Sequence, residues 1–183
     1  AGNRTKEIDA GGHEKVFAYD GYGNMLSEAA VMRLPGGGTD SVWTFYGYDD
    51  RNRQIFVAND NGDTSWTEYN DLDKVAAEVD ALGNRTEYTY DPNGNRVCTN
   101  HPDGARDSVY YDAEGHQIAV VDPEGRRTGM SYDALERLIA VTKPDGAVST
   151  TEYDAAGRMT SRTYPLGNRT EYEYDPAGNN TLV

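Results

Sequence analysis

Eight tyrosines recur along this chain of 183 residues at a nearly constant interval. From Tyr48 onward every step is 21 residues, whereas the first step, from Tyr19 to Tyr48, is 29 residues. Asp follows seven of the eight tyrosines, and Asn70 follows Tyr69. A fixed period of this length indicates one supersecondary unit that is repeated in tandem. Because a tandem array builds a wall or a surface, we predict a structural role before a catalytic one.

Three residue types define the repeat: the tyrosine, the acidic residue after it and the glycine that closes the following turn. We assign these structural roles to Tyr19, Asp20, Tyr48, Asp49, Tyr69, Tyr90, Asp91, Gly94, Tyr111, Asp112, Gly115, Tyr132, Asp133, Tyr153, Asp154, Gly157, Tyr174, Asp175 and Gly178.

The unit around Tyr90 shows how each period folds. Residues 86–90 alternate in period two between β-branched or aromatic and other residues, which predicts a strand. Residues 91–94 read Asp-Pro-Asn-Gly, in which Asp caps backbone N–H groups, Pro presets φ and Gly accepts a positive φ. Residues 95–100 return as a second strand, and residues 101–104 form a similar turn. Each period is therefore a β-hairpin.

Side-by-side hairpins predict an antiparallel meander. Six of the seven prolines occupy the second position of such turns, and only Pro35 does not, which agrees with a sheet whose interior excludes proline. Apolar residues of the return strands, such as Ile118 and Val120, share one face. About sixteen twisted strands do not stay flat. The predicted fold class is all-β, with tandem 21-residue β-hairpin repeats forming a curved antiparallel sheet.

We interpret residues 1–183 as a single array of about eight units. The start, residues 1–14, is degenerate, and the last unit, residues 174–183, is truncated. An insertion near residues 27–46 could form either a longer hairpin with a flexible tip or one short helical turn. Because residues 2–5, Gly-Asn-Arg-Thr, recur within the repeats at residues 83–86 and 167–170, we expect a piece of a longer protein, with any targeting signal outside it.

Composition excludes several function classes. The formal net charge of −14 disfavours nucleic acid, heparin-like sugars and anionic membrane surfaces. The single cysteine, Cys98, excludes an internal disulfide and is more typical of an apolar filler than of a nucleophile. No apolar run reaches membrane-spanning length.

No catalytic, cofactor-binding or metal-binding constellation stands out. His13, His101 and His116 lack metal-ligand spacing. Asp91 and Asn93 resemble the opening of a calcium loop, but no Glu follows at the required distance. Capping of the turns explains these acidic residues without a metal. We expect no cofactor and no enzyme activity.

The repeated text resembles the YD repeats of the Rhs family. Residues 90–96, Tyr-Asp-Pro-Asn-Gly-Asn-Arg, and residues 153–159, Tyr-Asp-Ala-Ala-Gly-Arg-Met, carry this resemblance, which covers roughly residues 15–183. The family includes bacterial polymorphic toxins, components of Tc toxins and the animal teneurins, and Gly-Asn-Arg-Thr favours the bacterial branch. The family's Asp-Pro-x-Gly-Leu autoproteolysis motif is absent, because Asn179 replaces the Leu in residues 175–179.

The resemblance implies a segment of a spiral β-shell, which in toxin members encloses a C-terminal toxic domain. Expected partners are other YD repeats and the enclosed toxin domain, without nucleic acid or a membrane span, in a protein that is secreted or displayed on the cell surface. The alternative is a recognition module of a cell-surface or adhesion protein, which binds protein or carbohydrate through exposed aromatic rings. Candidate rings are Trp43, Trp66, Tyr22 and Tyr164, although the same rings could simply pack between units.

Overall fold

The computed structural model describes residues 2–34 and 36–182, and all regular elements among these residues are β-strands. None of the described elements is a helix that is long and apolar enough to cross a membrane. The chain divides into two compact units, Ala1–Tyr88 and Thr89–Val183. The all-β architecture of tandem antiparallel hairpins confirms the predicted strands and turns.

In the first unit, strands that are consecutive in the chain pair antiparallel from β1 to β8. The strands are β1 (Lys6–Ile8), β2 (Glu14–Tyr19), β3 (Met25–Arg33), β4 (Thr39–Tyr48), β5 (Gln54–Asn59), β6 (Thr64–Tyr69), β7 (Val75–Val79) and β8 (Arg85–Tyr90), the last of which contains the division between the units.

The second unit repeats this meander from β9 to β16, and a short hairpin of β17 and β18 follows it. The strands are β9 (Arg96–Asn100), β10 (Arg106–Tyr111), β11 (Gln117–Val121), β12 (Arg127–Tyr132), β13 (Leu138–Thr142), β14 (Val148–Tyr153), β15 (Met159–Thr163), β16 (Arg169–Glu171), β17 (Glu173–Tyr174) and β18 (Asn180–Leu182).

Two kinds of five-residue turn alternate along the chain. We name those that start after a repeat tyrosine Tyr-Asp turns, and those between them alternate turns. Both kinds have one backbone pattern, as in residues 91–95, where Asp91 N–H donates to Asn95 O at 2.9 Å and Gly94 N–H donates to Asp91 O at 3.0 Å. Gly94 has φ of 85°, so this is the three-residue hairpin loop that ends in a left-handed residue.

The insertion lengthens one hairpin. Strands β3 and β4 have 9 and 10 residues and stay in register from Ser27 opposite Phe45 to Arg33 opposite Thr39. Of the two alternatives that the sequence left open, the structure therefore has the longer hairpin. The hairpin closes with the hydrogen bonds of an alternate turn, because Leu34 N–H donates to Gly38 O at 2.9 Å and Gly37 N–H donates to Leu34 O at 3.3 Å. Pro35 lies outside the described residues.

The two faces of the strands carry different side chains. One face, which we name the tyrosine face, holds the repeat tyrosines together with return-strand residues such as Val120. The opposite face, which we name the small-residue face, holds nearly all of the most buried side chains, because short side chains there are covered by longer cross-strand neighbours. Its buried residues are Ser27, Ala29, Ala77, Cys98, Ala119 and Ser161.

Candidate functional site: the tyrosine clasp between repeats

The acidic residue that follows each repeat tyrosine fixes the turn. In residues 133–137, Oδ1 of Asp133 accepts the backbone N–H groups of Leu135 at 2.9 Å and Arg137 at 3.0 Å. Its Oδ2 accepts Nε of Arg137 at 2.7 Å. The hydrogen bond from the Arg137 side chain is the main reason that the pKa of the Asp133 carboxyl lies below its ordinary value. One carboxylate therefore caps the turn and orients the fifth side chain.

The fifth residue of the turn reaches the next repeat. The guanidinium carbon of Arg137 lies 4.7 Å from the centroid of the Tyr153 ring, and its Nη1 donates to Asp154 O at 3.1 Å. This cation–π geometry is favourable because the ring face carries negative charge density. Equivalent ring contacts join Arg53 to Tyr69 at 4.4 Å, His116 to Tyr132 at 4.8 Å and Arg158 to Tyr174 at 4.7 Å.

The hydroxyl of the repeat tyrosine completes the link between repeats. Tyr153 donates to Leu138 O at 3.1 Å, and Leu138 is the first residue of the preceding return strand. That carbonyl lies beside the β-bulge at which the ladder shifts register, so the tyrosine reaches backbone at an irregular point. The same bond joins Tyr48 to Met25, Tyr69 to Gln54, Tyr111 to Arg96, Tyr132 to Gln117 and Tyr174 to Met159, over 2.9 to 3.4 Å.

We use the term tyrosine clasp for these three contacts together: the capped turn, the fifth side chain on the next ring, and the tyrosine hydroxyl on the preceding strand. Each clasp joins residues that are distant in sequence, because the hydroxyl bond alone spans 15 residues or more. Cross-links of this kind suit a repeat array, since one hairpin gains most of its stability from its neighbours.

Three Tyr-Asp turns carry a residue other than glycine at the left-handed position. Asn52, Asp73 and Glu136 have φ between 58° and 64°, a conformation that costs about 1–2 kcal/mol for most L-residues. Each of them faces the side chain of the fifth residue of the preceding Tyr-Asp turn. Asn24 Nδ2 donates to Asn52 Oδ1 at 2.8 Å, Arg53 Nη1 pairs with Asp73 at 2.6 Å, and His116 Nε2 lies 3.7 Å from Oε2 of Glu136. The contacts of Asn52 and Asp73 offset the strained backbone at these two positions.

The repeat-defining residues lie at strand ends and in the turns that follow them. Tyr19 and Tyr90 end strands β2 and β8, as the other repeat tyrosines end their strands. The turn glycines Gly94, Gly115, Gly157 and Gly178 all have positive φ. The capping contacts of the remaining acidic residues, in the pattern described for Asp133, occur at Asp20, Asp49, Asp91, Asp112, Asp154 and Asp175.

Sequence reasoning missed two sets of residues. It assigned no role to the fifth turn residue, although Asn, Arg, Lys or His recurs there in every Tyr-Asp turn. It also overlooked the position seven residues after the turn residue that follows each repeat tyrosine, where Ser, Ala or Cys recurs at six of the eight repeats and Phe56 is an exception. Gly47 lies opposite Phe56 and makes room for its ring, because a Cβ at residue 47 would collide with it.

The three histidines and the turn that resembles a calcium loop each have a structural explanation. His13, His101 and His116 each lie within 2.6 to 3.0 Å of one carboxylate, from Asp9, Asp107 and Asp112. Asn95 Nδ2 donates to Asp91, as expected for a capped turn. Across residues 2–34 and 36–182, no group of three His, Cys, Asp or Glu side chains could hold a metal ion.

Residues 69–106, 111–148 and 153–181 match the pattern of the RHS repeat, and together they make up more than half of the chain. The chain belongs to the RHS repeat family. Each matched segment begins at a repeat tyrosine, Tyr69, Tyr111 or Tyr153. The RHS repeat is a structural scaffold, and it indicates no enzymatic family for this chain. Among curated proteins, no sequence matches it.

The fold of this RHS-repeat chain is similar to solved Tc toxin structures. Over 92% of the chain, the TM-score is 0.67 to the Tc holotoxin pore of Photorhabdus luminescens, at 14% identity, with 11% of that chain covered. The TM-score to TcdB2-TccC3 is 0.66, at 15% identity, over 92% of this chain and 11% of that chain. The TM-score to TcdB2-TccC3-Cdc42 is 0.65, at 14% identity, over 92% of this chain and 12% of that chain. The RHS-repeat chain thus spans about a ninth of the toxin chains that it resembles.

One further feature of the RHS-repeat surface is an aromatic patch in the first unit, which we define as Trp43, Phe45, Phe56 and Trp66 on the small-residue face. The Trp43 and Phe45 ring centroids are 6.0 Å apart, and those of Phe56 and Trp66 are 5.2 Å apart. Trp66 is 47% exposed and Phe45 41% exposed.

The four aromatic candidates of the sequence are not all alike. Trp43 is half-buried, and Phe45 stacks beside it on the same strand face. Trp43 and Trp66 belong to the aromatic patch, whereas Tyr22 lies in a turn and is 86% exposed. Tyr164 is 40% exposed, belongs to the second unit and contacts Arg162 at 5.3 Å.

Proposed function

We propose that this RHS-repeat chain is one segment of the β-shell of a secreted bacterial toxin, and that the shell encloses and protects a C-terminal toxin domain. The observation that carries this proposal is the tyrosine clasp, which is complete at turn 49–53 of the first unit and recurs at three consecutive Tyr-Asp turns of the second unit, 112–116, 133–137 and 154–158. A wall that encloses another domain needs lateral cohesion between hairpins more than it needs chemistry. The likeness to Tc toxin structures over most of the chain supports the same function.

The clasp suits a wall for a physical reason. A single hairpin of ~21 residues loses on the order of 30 kcal/mol of conformational entropy when it folds, at ~1.5 kcal/mol per residue. Full burial of one large apolar side chain returns only about 1.5–3 kcal/mol. Each hairpin must therefore share backbone bonds and ring contacts with its neighbours. The net charge of −14 keeps such a wall soluble and away from polyanions.

Limited proteolysis of the full parent protein tests this function. The expected result is that a domain downstream of the repeats resists cleavage in the intact protein but is cleaved rapidly when it is produced alone. A clasp variant, Tyr132→Ala, should increase the cleavage of the downstream domain, whereas Tyr110→Ala, on an exposed ring of the other face, should not. Equal cleavage of the free and the attached domain would refute the enclosure.

As a second candidate function, we propose recognition of carbohydrate by the aromatic patch. The exposed area of its four rings is on the order of 300 Å², since aromatic side chains expose at most about 150–250 Å² each. A stable protein–protein interface needs about 800 Å² per partner, so the patch fits a small ligand better than a folded protein. Sugar rings can stack on such side chains and hydrogen-bond to nearby carboxylates. Asp60 lies beside the aromatic patch, because its Oδ2 is 3.4 Å from the backbone nitrogen of Trp43.

Intrinsic fluorescence reports this site directly, because both tryptophans of the chain belong to the aromatic patch. Titration with cellohexaose or chitohexaose should shift the emission in a saturable manner, and calorimetry should show that Trp66→Ala weakens binding about threefold to tenfold. Tyr110→Ala is the matched control. If neither sugar changes the tryptophan emission at millimolar concentration, the carbohydrate function is excluded and the shell function is not affected.

A further inference from the structure

The fifth residue of one Tyr-Asp turn differs from all the others in its chemistry. The eight residues at this position are Asn24, Arg53, Lys74, Asn95, His116, Arg137, Arg158 and Asn179. Asn never carries charge, and Arg and Lys stay cationic at every physiological pH. His116 alone changes its charge near neutral pH.

His116 lies between two carboxylates, one from each of two consecutive Tyr-Asp turns. Its Nδ1 lies 3.0 Å from Oδ2 of Asp112, within its own turn. Its Nε2 lies 3.7 Å from Oε2 of Glu136, in the following Tyr-Asp turn, and its ring stacks on Tyr132 at 4.8 Å. The His116 side chain is about one-fifth exposed, so neither contact is fully desolvated.

The two contacts require two protons. In the neutral imidazole one ring nitrogen is a donor and the other is an acceptor, so a ring that donates to Asp112 presents a lone pair to Glu136. The imidazolium donates from both nitrogens and attracts both carboxylates. Protonation therefore determines whether turn 112–116 is linked to turn 133–137 through this side chain.

We propose that His116 is a pH-sensitive latch between two neighbouring repeats, which closes on acidification and opens as the imidazole loses its proton. This inference goes beyond the shell function and does not depend on it. Arg53 provides a permanent version of the same link, because its Nη1 pairs with Asp73 at 2.6 Å at the corresponding positions of an earlier pair of turns.

The charged groups around His116 support closure in acid. Asp112 and Glu114 belong to its own turn, while Asp133 and Glu136 belong to the next turn and line the same concave surface. Arg137, the nearby cation of that turn, is paired with Asp133 at 2.6 Å. The hydrogen bond with Asp112, followed by the charges of Asp112 and Glu136, raises the pKa of His116 above its ordinary value.

The raised pKa of His116 determines how the stabilisation by the latch changes with pH. Because the folded state holds the proton more tightly than the unfolded state, the stabilisation is complete below pH about 6.5. It is lost as pH rises through the higher pKa of the folded protein. The latch therefore acts across neutral pH, above the range in which carboxylates titrate.

Amide hydrogen exchange measured by NMR on the full chain tests the latch. Protection factors, which correct for the intrinsic pH dependence of exchange, should fall about twofold to fivefold for Glu136 and Arg137 between pH ~6 and pH ~8. The His116 ring signals should titrate over the same range.

Three variants serve as controls. His116→Arg should keep the protection at all pH values, and Glu136→Gly, which provides the residue used by most other turns, should abolish the pH dependence while residues 112–116 stay folded. His13→Asn should change nothing at turn 133–137, because His13 pairs with Asp9 in an alternate turn. The proposal is overturned if the wild-type protection is independent of pH, or if either His116→Arg or Glu136→Gly retains the wild-type pH dependence.

Discussion

Two turns of the second unit have the same backbone but different connections to the rest of the protein. In the Tyr-Asp turn 133–137, Asp133 N–H donates to Arg137 O at 3.0 Å, and in the alternate turn 122–126, Asp122 N–H donates to Arg126 O at 3.1 Å. Both acids cap their turns, and both accept Nε of the fifth residue, at 2.7 and 2.6 Å.

The difference lies in what the fifth side chain contacts next. Arg137 stacks on Tyr153 of the following repeat and is half-buried. Arg126 pairs with Asp122 and Glu124 of its own turn and is about 61% exposed. The backbone of a turn is thus determined by its own five residues, whereas the lateral cohesion of turn 133–137 depends on the Tyr153 ring beside it.

Removal of the ring should have the largest effect. Tyr153→Ala eliminates the hydroxyl bond to Leu138 and the surface on which Arg137 stacks. We expect a loss of about 2–3 kcal/mol in the free energy of opening of strands β13–β15, somewhat below the range for fully buried aromatic residues. Native-state hydrogen exchange measures this local opening. Tyr110→Ala, which removes a ring that is 52% exposed, should cost less than about 1 kcal/mol, and equal losses would contradict the clasp.

The two arginines give the most direct comparison. Arg137→Ala should cost about 1–2 kcal/mol, because it removes both the cap partner and the ring contact. Arg126→Ala should cost less than about 0.5 kcal/mol, the range of an exposed ion pair. Urea denaturation of both variants, followed by exchange at the neighbouring amides, checks the difference. A similar cost for both would mean that stacking on the next repeat adds nothing.

Backbone substitutions should affect both kinds of turn equally. Gly115 in a Tyr-Asp turn has φ of 92°, Gly125 in an alternate turn has φ of 79°, and a Cβ at either would meet nothing within 4 Å. Gly115→Ala and Gly125→Ala should therefore each cost about 1 kcal/mol from left-handed strain alone. Thermal unfolding measures both. A much larger cost at Gly115 would show that the clasp also constrains the backbone of its turn.

Acid should have the smallest effect and should act only on turns that are capped by a carboxylate. The pKa of Asp133 is lowered in the folded protein, so its stabilisation is present above pH about 4 and is lost as pH falls below that value. Protection at the Leu135 and Arg137 amides should decrease there. The amides of Leu72 and Lys74 bond to the amide oxygen of Asn70, which does not titrate, and should keep their protection. Parallel loss at both turns would rule out the carboxylate as the cause.

Much of the fold could be predicted from the sequence, because hairpins are local. The turn 91–95 needs only an acid, a proline and a glycine at fixed offsets, and the strands beside it need only alternation. The insertion was harder, since residues 27–46 fit both a long hairpin and a helical turn until the register of Ser27 opposite Phe45 was known. Trp43 shows the same limit, because the sequence left open whether its ring is exposed or packed, and the structure makes it half-buried with Phe45 stacked beside it.

The sequence by itself determined the period, the order of strands and turns, and the tyrosine, acid and glycine that recur in each hairpin, because these follow from contacts within a few residues. Only the tertiary structure decided that the fifth turn residue lies on the next tyrosine, that the tyrosine hydroxyl reaches a carbonyl 15 residues earlier, and that His116 faces Glu136. These contacts depend on the register of each ladder and on the β-bulge beside the repeat tyrosine. A shift of one residue would turn every side chain of a strand to the opposite face.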